Sequence, residues 1–293
     1  MIQIITDSTC DINKEEAAAL GIHIVPLTVR FGNEEYLDGF TLSNEEFYQK
    51  LESCEELPVT SQPSPIIFKD LFMKYTEVGD QILGIFISSQ LSGTFQSASI
   101  AAEMVRDECP AACIELIDSK SVSIGTSLLI REALRMRSQG LFLDQMVHSC
   151  LEMADHIRVY AMAGSLKYLQ KGGRLSSSAA LVGSLLKITP VIEIVDGTVQ
   201  IACKARGKKS AATFIFEQLE TSSLVEDSTF VYGHANAKES LQSFVERTHS
   251  SVNLVHAYTG NIGCVVGTHI GPGSFGVAYL EEASCEAQNE LAS

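Results

Sequence analysis

Tryptophan is absent from this chain, and basic residues are scarce. Among 293 residues, 21 Lys and Arg stand against 36 Asp and Glu, which gives a formal net charge of −15. This imbalance argues against nucleic acid or an anionic membrane as the main partner, because both are themselves negatively charged. It leaves a small acidic ligand open, since a local site can be positive on a negative protein.

Long apolar runs are lacking as well. The longest are broken by Gly, Ser or a charged residue well before the roughly 20 residues that a bilayer-spanning helix needs. The segment 1–7 has no basic region and no small-residue cleavage site, so it does not resemble a signal peptide. We therefore expect a cytoplasmic protein without a transmembrane segment, and a transient contact with a membrane stays open.

Motifs for metal, nucleotide and covalent chemistry are also missing. No two histidines have the H-x-x-x-H spacing, and Cys109 and Cys113 flank a turn at the wrong spacing for a typical zinc knuckle. Cys150, Cys203 and Cys264 stand in apolar or element-like contexts and are expected to be small buried residues. The chain has no G-K-[ST] phosphate loop and no G-x-S-x-G nucleophile elbow. We predict no metal, no disulfide and no cofactor.

The most informative stretch present is QILGIFISSQLSGTFQSASIA, at 81–101. It predicts a buried strand, a tight polar turn and a helix N-terminus, where unpaired backbone N–H groups and the helix dipole attract anions. Gly93 would let a ligand approach the backbone, and Ser92 and Thr94 add hydroxyl donors. The alternative is that Ser92 or Thr94 only caps the helix.

Strands and helices alternate through the first half of the chain, which predicts a doubly wound, mainly parallel sheet. Asp7 follows the first predicted strand, where it either meets a ligand at the carboxyl end of the sheet or caps a helix. The segment 22–30 is predicted to be one strand, and 34–39 a surface hairpin or loop. Ser43 and Glu46 form a capping-box pattern, and Ser64 is expected to cap the helix that begins near Pro65.

The pattern changes near residue 158. A basic glycine-rich loop at 171–176 precedes a small predicted helix at 179–186 and a hairpin at 190–203 that turns on Asp196-Gly197. Further expectations are a strand at 253–256, a helix at 261–268 and a strand at 277–280 that closes the sheet. We predict an α/β domain with a parallel sheet at 1–160 and a smaller α+β domain at 161–293, with the ligand in the cleft between them.

Four loops carry polar groups that could converge in that cleft. They contain Thr60 and Ser61, the segment 92–94, Arg174, and His269. The set is rich in donors and poor in acceptors, which suits a carboxylate or a phosphate. Each position has a plainer interpretation: a turn for Thr60 and Ser61, a surface loop for Arg174, and a structural histidine for His269.

The chain also resembles the DegV family of bacterial lipid-binding proteins. The matching segments fall in order along almost the whole chain: IITDST at 4–9, TSQPS at 60–64, SSQLSGTFQSA at 88–98, GSLKYLQKGGRLS at 164–176, LLKITPVIEI at 185–194 and HIGPGSFGVAY at 269–279. One departure is Cys10, where Ala is more usual after the D-S-T triplet. It affects none of the donors named above.

The resemblance implies a function. Family members hold one long-chain fatty acid between an α/β and an α+β domain, and serve as the fatty-acid-binding subunit of a bacterial fatty acid kinase in phospholipid metabolism. They present the carboxyl group to a separate ATP-binding kinase subunit, which makes an acyl phosphate. By this resemblance the carboxylate would meet Thr60 or Ser61, Ser92 and the segment 93–94, with Arg174 and His269 nearby. Small helices at 179–186 and 262–268 are candidates to line the acyl tunnel.

Two other functions compete with a carrier that has no catalytic activity of its own. The first is an acyl hydrolase with Ser92 as nucleophile, His269 as base and Asp7 as the acid that orients it. The second is a binding module for a phosphorylated metabolite. A long apolar tunnel would favour the lipid carrier over the metabolite module.

Overall fold

The computed structural model describes residues 1–175, 188–227, 229–249 and 255–282. Its strands are β1 Ile2–Asp7, β2 Ile22–Val25, β3 Thr28–Phe31, β4 Glu34–Leu37, β5 Val59–Ser61, β6 Gln81–Phe86, β7 Ile114–Asp118, β8 Ile157–Met162, β9 Thr189–Val195, β10 Thr198–Ala205, β11 Thr229–Ala235, β12 His256–Asn261 and β13 Ser274–Leu280. Its α-helices are α1 Lys14–Leu20, α2 Asn44–Ser53, α3 Pro65–Thr76, α4 Thr94–Glu108, α5 Ile124–Ser138, α6 Leu143–His156, α7 Leu166–Lys171, α8 Lys208–Thr221, α9 Lys238–His249 and α10 Cys264–Ile270.

The first half of the chain builds a parallel sheet, as predicted. Its order is β2-β1-β6-β7, and every pair of neighbours is parallel. Ile4 and Leu83 belong to the core cluster that includes α5, whereas Ile5 and Ile82 belong to the cluster that includes α3 and α4. Both faces of the sheet are therefore covered, which explains why its strands read as continuous apolar runs.

A second sheet has six strands in the order β10-β9-β8-β13-β11-β12. The predicted hairpin is confirmed: β9 and β10 are antiparallel, and Asp196 and Gly197 at the turn have φ of 49° and 75°. The prediction that 277–280 closes the sheet is wrong. β13 lies between β8 and β11, and all seven of its residues are buried. Strand order depends on distant partners, so the local pattern could not reveal it.

A third, small sheet has the order β4-β3-β5 and overturns another prediction. The segment 22–30 is not one strand: β2 ends at Val25 in the parallel sheet, and β3 begins at Thr28 in this one. Pro26 separates them, and a proline cannot donate a ladder hydrogen bond. The segment 34–39, predicted to be a surface hairpin or loop, contains β4, which is one strand of an antiparallel hairpin with β3.

Several smaller expectations are also settled. The capping box of Ser43 and Glu46 is present, but Ser64, at the N-cap position of α3, makes no side-chain capping bond. Of the strand predicted at 253–256, residues 253 and 254 lie outside the described residues, and residue 256 is the first of β12, which spans 256–261. The helix predicted at 179–186 also lies outside them. Cys150 and Cys264 are buried as expected, whereas Cys203 is half-buried.

Two helices link the halves of the chain. α5, from the first half, packs on β8, β11 and β13 of the six-stranded sheet. α10, from the second half, packs on α2, β3 and β5. Among the described helices, none combines the length and apolar character that crossing a bilayer requires. The two contacts bring loops from both halves around one interior space.

Candidate functional site

A largely apolar cavity of about 290 Å³ lies between the loops that follow β6 and β7 and one face of the six-stranded sheet. Its volume is near the lower end of the range typical of small-molecule sites, about 300 to 1,000 Å³. α10 corresponds to the helix expected near 262–268 as a candidate to line the acyl tunnel, and it forms one wall of this cavity. Apolar side chains on the walls are Leu27, Ile87, Leu91, Val122, Ile124, Val159, Ala161, Leu169, Ile192, Ile194, Val199, Ile262, Val265, Val266 and Ile270.

The predicted polar residues come together on this cavity, with one exception. The wall includes Thr60, Ser61, Ser92, Gly93, Arg174 and His269. Thr94 is fully buried and does not line the cavity; its hydroxyl oxygen lies 2.9 Å from that of Ser92. The four loops singled out in the sequence therefore do converge, and Thr94 stands behind one of them.

Local structure explains the Ser92 loop. The N–H of Ser92 bonds the carbonyl of Ser88, which makes a tight turn after β6, and the Ser92 hydroxyl accepts a 3.3 Å bond from the N–H of Thr94. The N-cap residue of α4 is Gly93, which makes no side-chain capping bond, so Ser92 is not the N-cap; it precedes the helix and faces the cavity. A Cβ on Gly93 would lie only 2.5 Å from the side-chain amide of Gln62, so the glycine makes room for that residue.

Gln62 is a cavity residue that sequence reasoning missed. It lines the wall beside Thr60 and Ser61, and its Nε2 lies 3.4 Å from the hydroxyl of Ser97 on α4. Its amide can donate to a carboxylate. The only signal in the sequence was its place between Ser61 and Pro63, in the extended segment that carries the two hydroxyls.

His269 stands in the last turn of α10, with Nε2 3.1 Å from the Thr60 hydroxyl. Its Nδ1 is buried without a hydrogen-bond partner among the described residues, and a Cβ on Gly172 would lie 2.2 Å from that atom. Burial, and then the nearby Arg174 guanidinium, lower the pKa of His269 to about 4. The ring is therefore neutral near pH 7, and its unpaired Nδ1 shows that it is not a fully satisfied structural histidine.

Arg174 is exposed and ties two loops together at the cavity. Its Nη1 donates a 2.6 Å bond to the carbonyl of Gly172, and its Nε a 3.4 Å bond to the carbonyl of Leu91. Both bonds go to backbone oxygens, and among the described residues no carboxylate forms an ion pair with this guanidinium, which lies beside Ser92 and His269. This is the cationic group at the site that a bound anion would meet.

Asp7 proves to be a helix cap and not a partner of His269. One carboxylate oxygen accepts a 2.9 Å bond from the N–H of Thr9, and the other a 2.9 Å bond from the N–H of Ile87. The Ser92 hydroxyl pairs with Thr94, and His269 pairs with Thr60. Within the described residues, the bonds that a Ser-His-Asp triad requires are therefore not made.

Two further carboxylates, unnoticed in the sequence, hold the N-terminus of α10. The N–H of Gly263 donates a 2.8 Å bond to Asp11, and the N–H of Cys264 a 2.9 Å bond to Asp38. Asp38 also accepts a 2.9 Å bond from the Ser8 hydroxyl. Burial raises the pKa of Asp11 and of Asp38. We call these two residues the acid clamp; it fixes the helix that forms one cavity wall.

Comparisons with known proteins agree with this architecture. A family model described as "Uncharacterised protein, DegV family" matches residues 1–282. A DegV domain-containing protein of Caldanaerobacter subterraneus is 32% identical over 282 residues, 96% of this chain and 99% of that protein. The structure of DegV, a fatty acid binding protein from Bacillus subtilis, is 31% identical with a TM-score of 0.84, over 96% of this chain and 99% of that one. A stearic acid-binding protein from Eubacterium ventriosum is 28% identical with a TM-score of 0.86, over 96% and 98%.

Proposed function

Because this chain belongs to the DegV family, we propose that it binds one long-chain fatty acid in the cavity and presents the carboxyl group to a separate ATP-binding kinase subunit, which forms the acyl phosphate. The observation that carries the proposal is the cavity itself, where hydroxyl, backbone and guanidinium donors meet a wall formed mainly by apolar side chains. Solved relatives of the same fold are described as binding fatty acids, one of them stearic acid. A cytoplasmic location and a role in bacterial phospholipid metabolism are part of the proposal.

The carboxylate is proposed to lie against Ser92 and the backbone N–H of Gly93, with Thr60 or Ser61 on the facing loop. Hydrogen bonds to a carboxylate contribute roughly 1.5 to 3 kcal/mol each, about twice a neutral bond. Thr94 takes a different role from the one first predicted: its hydroxyl orients that of Ser92. Neutral His269 can donate one bond, either to the carboxylate or to Thr60.

Most of the affinity comes from the apolar wall. A saturated sixteen-carbon acid offers about 14 methylenes, each worth about 0.8 kcal/mol when buried, or on the order of 10 kcal/mol before the cost of ordering the chain. Fifteen apolar side chains line the cavity and supply that environment. A phosphorylated metabolite without a long apolar portion would gain little from them, so the wall favours the lipid over that alternative.

The described contacts also favour a carrier over an acyl hydrolase. Ser92, His269 and Asp7 each bond a different partner: Thr94 for the first, Thr60 for the second, and Thr9 with Ile87 for the third. A nucleophilic serine needs its base within hydrogen-bond reach and held by an acid. Steady hydrolysis of acyl esters that disappears in Ser92→Ala would restore the hydrolase.

Arg174 is proposed to serve phosphoryl transfer more than lipid retention. The acyl carboxylate gains negative charge when it becomes an acyl phosphate, and an exposed guanidinium at the site is suited to meet that charge. Removing it leaves the apolar wall intact. Arg174→Ala should therefore keep most of its bound lipid and yet fail to support phosphorylation.

A paired assay on one preparation tests both parts of the function. Native mass spectrometry of the purified chain measures lipid occupancy, and acyl phosphate formation is then measured with a cognate kinase subunit and ATP. The control is Lys167→Ala, which removes an exposed positive charge on α7, the helix that precedes the Arg174 loop. It should leave both readouts unchanged.

The outcomes separate the two claims. Wild-type protein that neither copurifies with nor takes up a fatty acid contradicts the binding function. Full acyl phosphate formation by Arg174→Ala contradicts the transfer role. Loss of lipid in proportion to loss of activity would make Arg174 a simple binding residue.

A further inference from the structure

A second pocket adjoins the apolar cavity. It has a volume of about 310 Å³, and its lining is mainly polar and charged, with Lys120, Asp155 and Arg158 among its residues. The two spaces share only Val159, Glu193 and Ile194 on their walls. The partition between an apolar and a polar compartment is thus formed by one residue of β8 and two of β9.

The backbone explains why the partition is thin. β8 and β9 pair at Met162 with Val191, at Ala161 with Ile192, and at Tyr160 with Glu193, and there the described pairing stops. Both strands continue, β8 back to Ile157 and β9 on to Val195. They therefore separate just beyond the Tyr160–Glu193 pair, and the polar pocket is lined by residues of both strands beyond that point.

Val159 and Ile194 are the first residues past the last pair, one on each strand. Side chains alternate along a strand, so Val159 faces the same side of the sheet as Ala161, and Ile194 the same side as Ile192. All four line the apolar cavity. Val159 is also held on that side by α5, since a Cβ on Gly125 would lie 2.7 Å from its Cγ2 atom. At this point no described hydrogen-bonded ladder joins the two strands, so only side chains separate the two spaces.

The geometry points to Val159 and Ile194 as residues that limit the length of the bound acyl chain. This inference rests on the proposed fatty acid function and goes beyond it by naming the determinant of chain length. A chain that ends at the partition buries all its methylenes in apolar surroundings. A longer chain must push into a compartment lined by charged groups, where each additional methylene gains no burial. The substitution Val159→Ala removes two methyl groups and therefore adds room for about two carbons on the apolar side of the partition.

The test is competitive loading of the full chain with saturated fatty acids of roughly fourteen to twenty-two carbons, read by native mass spectrometry. Val159→Ala should shift the preferred acid about two carbons longer, and each carbon that gains apolar room should raise relative occupancy about fourfold. Val159→Ile adds a methylene and should shift the preference toward shorter acids. This opposite change keeps the test decisive if Val159→Ala folds poorly.

Val199→Ala is the matched control. Val199 lines the same cavity and is as buried as Val159, at 5% against 7% exposure, but it lies on β10, where it pairs with Ile194, and it does not line the polar pocket. The same deletion there enlarges the cavity without thinning the partition, so the preferred length should move by less than in Val159→Ala.

Each result bears on the inference. Unchanged length preference in both Val159 variants overturns it, and so does an equal shift in Val199→Ala, because cavity size alone would then decide. In both cases wild-type protein still captures fatty acids, so the proposed function stands. If wild-type protein captures none of the acids, the proposed function itself fails, and this inference with it.

Discussion

The two ends of α10 are held in opposite ways. At its N-terminus, Gly263 and Cys264 donate backbone bonds of 2.8 and 2.9 Å to the acid clamp of Asp11 and Asp38. At its last turn, His269 has one ring nitrogen bonded to Thr60 and the other buried without a partner among the described residues. The backbone donors at the N-terminal end are paired with carboxylates, whereas the last turn has a buried ring nitrogen without a partner among the described residues.

This difference distinguishes polar groups that stabilise the fold from polar groups that are available to a ligand. Buried polar groups in proteins are normally hydrogen-bonded, and an unpaired one is costly. The clamp obeys that rule and anchors a wall of the cavity to the first half of the chain. His269 departs from it beside Ser92 and Arg174, where the proposed carboxylate would lie. Changes at the clamp should therefore alter stability first, and changes around His269 should alter ligand binding first.

The largest expected effect is at the clamp. Asp38→Ala leaves the N–H of Cys264 and the hydroxyl of Ser8 without their buried acceptor, so we expect a loss of about 4 kcal/mol in the free energy of unfolding. Denaturant unfolding measures it. Asp38→Asn keeps an acceptor oxygen and should lose less than half as much, and Asp70→Ala, at an exposed position on α3, should change little. Equal stability of Asp38→Ala and wild type would remove the structural role of the clamp.

The next effect is a pH dependence at the other end of the helix. His269 has a pKa of about 4 in the folded protein, against an ordinary value of 6.5, because burial disfavours its charged form. Above pH 6.5 both folded and unfolded chains hold it neutral; as pH falls toward 4, the unfolded chain takes up the proton first. Stability should therefore fall by up to about 3 kcal/mol over that window relative to His269→Gln.

The comparison with His269→Gln is needed because the clamp carboxyls act in the other direction. Burial raises the pKa of Asp11 and Asp38, so their contribution is greatest at low pH and is lost as pH rises through the folded values. Both proteins share that contribution, and the difference between their unfolding free energies isolates His269. Parallel pH curves would mean that His269 does not titrate abnormally.

A smaller effect, on binding alone, is expected for Ser92→Ala. Loss of a hydroxyl bonded to a carboxylate should weaken fatty acid binding by about 1.5 to 3 kcal/mol, roughly tenfold to a hundredfold, without unfolding the protein. Displacement of a fluorescent fatty acid gives the affinity. Ser89→Ala, at an exposed serine in the same loop, is the control. Wild-type affinity in Ser92→Ala would exclude Ser92 as a ligand group.

The smallest effect should come from Thr94→Val. This change keeps the shape of a fully buried side chain and removes only the hydroxyl that lies 2.9 Å from that of Ser92. Because Thr94 does not line the cavity, we expect a loss of about 1 kcal/mol in binding, roughly fivefold in the same displacement assay. A loss as large as that of Ser92→Ala would instead place Thr94 among the direct contacts.

Local patterns predicted much of this fold. The apolar runs of β1 and β6 indicated a parallel sheet, and the Asp196-Gly197 turn indicated an antiparallel hairpin, because each signal depends on neighbouring residues. The prediction of one strand at 22–30 was wrong because the segment contains two strands that join different sheets, and a weak alternation does not reveal that change of partner. The prediction that β13 closes its sheet was wrong for a similar reason, since its central position depends on its pairing with β8 and β11.

The same distinction between local sequence signals and tertiary contacts applies to the candidate site. By itself the sequence determined the donor-rich loops at Ser92, Arg174 and His269, because residue type and turn chemistry are local, and its resemblance to a family indicated the ligand. Only the tertiary structure decided that Thr94 stands behind Ser92, that Gln62 joins the wall, and that the strands of Val159 and Ile194 separate beside a second pocket. The acid clamp belongs to this second group as well. Its hydrogen bonds span more than two hundred residues of sequence, and no local pattern encodes which distant N–H group a carboxylate will meet.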